Sequence, residues 1–274
     1  MAWSLVALRD HLRRRSGRQS PFPQQDDLVE FVCNLCDAFN RVAPAQLGRE
    51  IRSCVRCGST VRFRSIGHLV VREVLGVEQS IAEAAESFHV AGIGLSDSET
   101  YALPLARRFS YTNTFFDAEP RLDITAVPAH HAERYDFVIA SDVFEHVTQP
   151  VARAFDGVRR LLRAGGVLIM TVPFSQEPDT LEHFPELHDF SIVDTQEGKR
   201  LRNVTLDGRT QFFDNLIFHG GIGATLEMRV FSRAALEREL RSAGFSSVRF
   251  VDDACPRFGI VRPEPSGLPI VARP

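Results

Sequence analysis

Four cysteines fall in two knuckles, Cys33-Asn-Leu-Cys36 and Cys54-Val-Arg-Cys57, with residues 37–53 between them. Each knuckle turns tightly enough to offer two sulfurs, so the pair suits one tetrahedral Zn²⁺ held by four thiolates. With all four positions filled by protein, no place is left for water or substrate, and the ion's role is structural. A module of about 35 residues buries too little surface to fold alone, and metal binding supplies the missing stability. A second polar group, Ser141, Asp142, Glu145 and His146, follows directly on the apolar run Tyr135–Ala140. Its imidazole titrates near working pH, as a general base must.

The elements around that second group can be read from their patterning. Tyr135–Ala140 is a short β-rich run of the kind expected of a strand buried on both faces. Val151, Ala154, Phe155, Val158, Leu161 and Leu162 then recur at helical spacing, Gly165-Gly166 ends the helix, and Val167–Val172 reads as a second buried strand. Such β-α-β units build parallel sheets whose ligands lie outside the carboxyl ends of the strands, which is where residues 141–146 fall.

A strand ending in Asp142-x-x-Glu145-His146, a helix, then Leu162-x-x-Gly165-Gly166 and a strand ending in Val172-Pro-Phe174 resembles the middle of a class I S-adenosylmethionine-dependent methyltransferase, over roughly residues 85–252. The resemblance implies an α/β, Rossmann-like fold: a mostly parallel seven-stranded sheet with helices on both faces, joined here to a small N-terminal four-cysteine zinc ribbon. It places the donor against Ala91, Gly92, Ile93 and Gly94, a glycine-spaced loop in which the backbone can approach a nucleoside closely. Asn113 falls where an acid normally holds the ribose, about 20 positions past the first glycine, with Asp117 or Glu119 as substitutes if the second strand is shorter. Asp123 and Ile124 fall where the adenine amino group and ring are met, and Ser141 and Asp142 complete the cofactor set. His146 is the first candidate for general base, followed by His219 and His188. The acid-x-x-Glu-His segment also resembles one by which some small-RNA and quinone-precursor methyltransferases bind Mg²⁺ or Mn²⁺ with a downstream histidine.

At 274 residues the chain holds one α/β domain and a small module. The expected divisions are a tail and linker at 1–28, the ribbon at 29–65, a connecting helix at 66–84, the methyltransferase domain at 85–255 with a substrate-covering insertion at 175–230, and a C-terminal strap at 256–274. No apolar run approaches the roughly 20 residues that span a bilayer, and residues 1–16 lack a basic leader and cleavage site. These features predict a cytoplasmic protein, where clustered cysteines bind metal rather than form disulfides. Cys255 reads as a free thiol.

The net charge of −3 gives no electrostatic argument for nucleic acid. The expected substrate is the hydroxyl, amine or carbon of a small-molecule or glycan-type acceptor. Two other function classes remain. Val90 stands where the family carries an acid and Ser96 where it carries a third glycine, which together with Asn113 motivates a non-catalytic ribbon-and-Rossmann scaffold. Arg52, Arg56, Arg62 and Arg64, clustered at the knuckles, motivate an RNA methyltransferase that grips phosphate through the ribbon.

Overall fold

The computed structural model describes residues 28–196, 198–219, 225–261 and 266–274. The expected tail therefore lies outside the described residues, apart from Leu28. The chain opens with a hairpin, β1 (Val29–Val32) and β2 (Phe39–Val42), paired antiparallel with Val32 opposite Phe39. Helix α1 (Val61–Val70) starts where Thr60 accepts a hydrogen bond from the Phe63 N–H at 3.3 Å. It runs on as a π turn over Val71–Leu75 and stops at Gly76 in the left-handed region.

The central sheet then forms from β3 (Ser87–Leu95), β4 (Phe109–Thr114), β5 (Tyr135–Ser141) and β6 (Leu162–Thr171), all parallel. Helix α2 (Glu99–Ala106) links β3 to β4, and α3 (Ala152–Leu161) links β5 to β6. The glycine pair does not end α3 as expected: α3 stops at Leu161, and Gly165-Gly166 lie inside β6, where the pairing with β5 shifts register. Gly165 has φ +77°, so the pair supplies a bulge rather than a helix cap.

The described residues of the insertion expected at 175–230 carry regular structure of their own. Short strands β7 (Phe174–Ser175) and β8 (Leu181–Glu182) flank a later one, β14 (Arg229–Ser232). Between β8 and β14, β9 (Asp189–Thr195), β10 (Gly198–Val204) and β11 (Thr210–Phe213) form an antiparallel sheet, and β12 (Phe218–His219) pairs with β13 (Thr225–Leu226). Phe184, Leu201, Leu226 and Met228 give this insertion its own core. Strand β14 (Arg229–Ser232) leads into α4 (Arg233–Ser242), where the Ser232 hydroxyl accepts from the Ala235 N–H at 3.0 Å. Strands β15 (Ser247–Phe250) and β16 (Ile270–Arg273) close the sheet, β16 lying antiparallel to β6 and to β15.

The sheet order is β15-β16-β6-β5-β3-β4, six strands among the described residues rather than the expected seven. The missing edge strand falls at Pro120–Thr125, where only an isolated bridge, Phe115 to Arg121, forms beside β4. Pleating divides the sheet's side chains between two cores. Phe137, Ile139, Val167 and Ile169 face α1 and the hairpin. Val138, Ala140, Leu168 and Met170 face α3 and α4. Each such fully buried side chain contributes roughly 1.5–3 kcal/mol, so the ribbon's Phe31 and Leu35, which sit in the first core, are bonded to the sheet by hydrophobic burial and not by a linker alone. No helix among the described residues is long and apolar enough to cross a membrane.

Candidate functional site

Strand order decides where a ligand belongs. From β3 the chain goes to β4 on one side of the sheet, and then to β5 on the other. The carboxyl ends of β3 and β5 thus flank a topological switch point, the crevice that ligands use in open α/β sheets. At that edge stand Leu95–Asp97 from β3, Ser141 and Asp142 from β5, and Thr171 from β6.

The crevice mouth is occupied by two arginines from the ribbon side. Arg49 places Nη1 3.0 Å from Asp142 Oδ2 and Nη2 2.6 Å from Oδ1. Arg62, at the start of α1, donates to Ser141 Oγ at 2.5 Å and to Glu50 through Nε and Nη2, both at 2.8 Å. Its Nε is also 3.3 Å from Asp142 Oδ2. Burial by itself would raise the Asp142 pKa, but Arg62 and Arg49 outweigh it and hold the carboxylate below its ordinary range. Asp142 also accepts from Thr171 at 2.9 Å, and its backbone lies in the left-handed region at φ +53°. Beside the crevice, between α1 and the tip of β6, a cavity lined by Arg49, Arg62, Thr171 and Gly267 measures about 90 Å³, well short of the roughly 300–1,000 Å³ of a ligand pocket. With the arginines in place, Ser141 and Asp142 are taken up by protein partners and not open to a nucleoside.

The residues expected to meet the donor have protein partners. Gly92 and Gly94 lie within β3, not in a loop. A Cβ at 92 would sit 2.1 Å from the Phe137 ring, and one at 94 would meet the Tyr111 hydroxyl and Asp97 carboxylate. The Ala91 N–H donates to Asp136 at 2.8 Å, and Ile93 is fully buried. Asn113 braces the turn after β3, accepting from the Asp97 N–H at 2.9 Å and donating to the Asp97 carbonyl at 2.8 Å. Asp97 is buried between Tyr101, which donates at 2.7 Å, and Tyr111. Burial pushes its pKa up to about 7 against the pull of those hydroxyls. Asp123 accepts from the Thr125 N–H and hydroxyl at 2.8 and 2.7 Å, and Ile124 packs its backbone against Gly157 of α3.

Beyond Asp142 the chain makes a tight turn, Phe144–His146, that the insertion covers. Arg229, 1% exposed, donates to the Phe144 and Val147 carbonyls at 3.0 and 2.5 Å and pairs with Glu182 at 2.7 Å. The Met228 N–H donates to the Glu145 carbonyl at 2.8 Å. His146 Nδ1 donates to the Leu226 carbonyl at 2.9 Å, so in the neutral ring Nε2 is the proton acceptor. Burial, reinforced by His219, lowers the His146 pKa from its ordinary value. Glu145 Oε1 is 3.9 Å from that Nε2, while its Oε2 is buried without a hydrogen-bond partner among the described residues. Burial and then Asp142 push the Glu145 pKa up to about 8.

The His146 and His219 rings lie 5.7 Å apart. Glu227 bridges His219 through one carboxylate oxygen and His183 through the other, the latter at 2.9 Å. His188 is elsewhere, in the insertion, its N–H donating to Asn203 at 2.9 Å. Gly220 and Gly221, beside His219, lie outside the described residues. Asp142, Glu145 and His146 do not assemble a cation site. Only two ligand groups converge among the described residues, this trio is neither, and Asp142 is neutralised by arginine.

One converging group is the four knuckle cysteines, whose sulfurs lie within 4.8 Å of one another, with Cys33–Cys57 and Cys36–Cys54 at 3.6 Å. Bonds of about 2.3 Å to a tetrahedral ion set sulfurs about 3.8 Å apart, so the cluster fits zinc. Both knuckles close alike: the Asp37 and Gly58 N–H groups donate to the Cys33 and Cys54 carbonyls, and both residues have positive φ. The ribbon arginines do not form an outward cluster. Arg64 is fully buried, bonded to Ser59 and Gly259, and Arg56 caps the Cys36 carbonyl at 2.8 Å.

Sequence reading missed Arg49, Glu227 and Arg229. The first acts 93 residues away, and the others sit in a stretch without a regular period.

Residues 76–249 match the family model of a methyltransferase domain. Among solved structures, the chain is similar to an S-adenosylmethionine-dependent methyltransferase from Clostridium acetobutylicum, at 12% identity over 77% of this chain and 90% of that one, with a TM-score of 0.43. It is similar to a sugar N-methyltransferase from a Streptoalloteichus species at 14% identity, covering 78% and 87%, with a TM-score of 0.45. A Burkholderia thailandensis 1,6-didemethyltoxoflavin N1-methyltransferase gives 13% identity, 77% coverage of each chain and a TM-score of 0.42. No curated protein matches.

Proposed function

This chain belongs to the methyltransferase-domain family, and on that premise we propose that it transfers a methyl group from S-adenosylmethionine to a hydroxyl, amine or carbon of a small-molecule or glycan-type acceptor. The observation that carries this reading is the switch point between β3 and β5, with the His146 turn at its lip. Arg49 and Arg62 must withdraw for a nucleoside to reach Asp142 and Ser141, since they bind those side chains. The donor, when bound, supplies a sulfonium already activated by its charge. What the chain's residues add is acceptor positioning and proton removal. His146 is suited to removing the proton, because its Nδ1–H is fixed by the Leu226 carbonyl and its Nε2 is left basic. Glu227 orients His219 and His183 at the same lip. Arg62 and Arg64 are engaged internally, bonded to Glu50, Ser141, Ser59 and Gly259, so a small neutral acceptor is favoured over RNA.

A structural Zn²⁺ on Cys33, Cys36, Cys54 and Cys57 belongs to the same reading, supported by the fit of their sulfurs. One observation favours the scaffold alternative. Asn113 and Asp123, the expected ribose and adenine contacts, are satisfied within the protein. Mass spectrometry of the native chain under non-denaturing conditions separates the two: a one-to-one S-adenosylmethionine or S-adenosylhomocysteine adduct supports the enzyme, and a chain that takes up neither supports the scaffold.

A further inference from the structure

The fifth cysteine does not stand alone. Cys255 Sγ, a ring nitrogen of His68 and a carboxylate oxygen of Glu78 lie within 4.8 Å of one another. They come from three separate stretches: α1, the loop beyond its π turn, and the segment after β15. His68 is 5% exposed, its Nε2 is 3.4 Å from Glu78 Oε2, and its ring meets Phe258 edge-on with centroids 5.7 Å apart. Cys255 is fixed at the neck of a turn: its N–H donates to the Ile260 carbonyl at 2.9 Å, and its own carbonyl accepts from Phe258 and Ile260 at 3.0 and 3.1 Å. That turn is docked on the ribbon. Arg64 donates to the Gly259 carbonyl at 3.0 Å, and a Cβ at Gly259, where φ is +62°, would strike the Phe31 ring.

We propose that His68, Glu78 and Cys255 hold a second divalent ion of the zinc class, separate from the four-cysteine cluster. Mixed nitrogen, sulfur and oxygen donors are a set zinc takes readily, whereas magnesium and calcium take oxygen alone. Ligand bonds of 2.0–2.3 Å around a tetrahedral ion place donor atoms roughly 3.3–3.8 Å apart, a separation His68 and Glu78 already have. Two of the ligands are held rigidly. The third, Glu78, has a side chain 62% exposed, which gives the ion a way in and a ligand free to adjust. On binding, the Cys255 thiol proton passes to solvent and the sulfur–metal bond forms. Three protein ligands leave a fourth position for water. The ion ties the segment after β15 to α1, the helix that carries Arg62 to the crevice. This inference is independent of the methyltransferase reading.

Zinc content of the full chain, saturated with Zn²⁺ and freed of excess, tests it by elemental mass spectrometry. The native chain is expected to hold one ion per chain more than Cys255→Ser and one more than Glu78→Ala, with thermal melts confirming that the variants are folded. The difference is the readout, so an error in the four-cysteine assignment lowers all three totals alike and leaves the comparison intact. If Cys255→Ser fails to fold, Glu78→Ala, a surface change, decides. Equal zinc in the native chain and the folded variants overturns the proposal.

Discussion

Arg49 and Asp142 face one another fork to fork, with Nη1–Oδ2 at 3.0 Å and Nη2–Oδ1 at 2.6 Å, across a sequence separation of 93 residues. The pair joins the ribbon to the tip of β5 at the switch point of the sheet. Bidentate arginine–carboxylate contacts are the strong ones, and both side chains here are less than a third exposed. What the four-cysteine module side contributes to the crevice is charge, delivered by Arg49 and Arg62.

Replacing His146 by alanine is expected to leave donor binding intact and cut turnover by roughly 10²-fold or more, the usual loss when a general base is removed. The pH profile gives an independent check. Burial lowers the His146 pKa, so the basic form persists below the ordinary imidazole range. The acid limb of kcat/KM should have its midpoint below pH 6.5, whereas a midpoint above that value would show a different group titrating.

Glu145 predicts the sign of a stability change with pH. Its pKa, pushed up to about 8 in the folded chain, exceeds the unfolded value near 4.3. The folded state thus holds the proton that the unfolded state releases, and this contribution is full below about pH 4.3 and fades as pH rises toward 8. Glu145→Gln should flatten the fall in melting temperature across that window and raise the melting temperature at pH 8. A variant that melts lower at pH 8, with its slope unchanged, would place a charged carboxylate at this site.

Stripping zinc with a strong chelator should release the ion from the four cysteines and expose residues 30–62 to proteolysis, because the ribbon's own buried surface is small. Phe31 and Leu35 share a core with Phe137 and Ile139, so the loss should reach the sheet and lower its melting temperature too. A ribbon that resists both chelator and protease would contradict the structural role.

Much of this fold was legible because periodicity and caps are local signals. The run Tyr135–Ala140 and the helical spacing from Val151 to Leu161 sit where their residue types put them. The cysteine spacing was equally plain. The candidate crevice was less so, for physical reasons. A glycine that lets a ligand approach and one that makes room for Phe137 look the same in sequence, and Gly92 proves to be the second kind. Asn113 offers an acceptor to a ribose or to a neighbouring turn, and here the turn takes it. Nothing near Arg49 signals that its partner lies on the far strand tip. The missing sheet edge is a matter of the Pro120–Thr125 segment turning, with Asp123 bonded to Thr125 instead of extending.

Calorimetric titration of S-adenosylmethionine into the native chain and into an Arg49→Ala/Arg62→Ala variant decides whether the crevice takes the donor. If the two guanidiniums close a crevice built for it, the native chain binds and the variant binds on the order of tenfold more tightly, a change of about 1.4 kcal/mol. Absence of heat in both, with the variant folded, would contradict the methyltransferase reading and leave a methyltransferase-shaped domain that holds no donor.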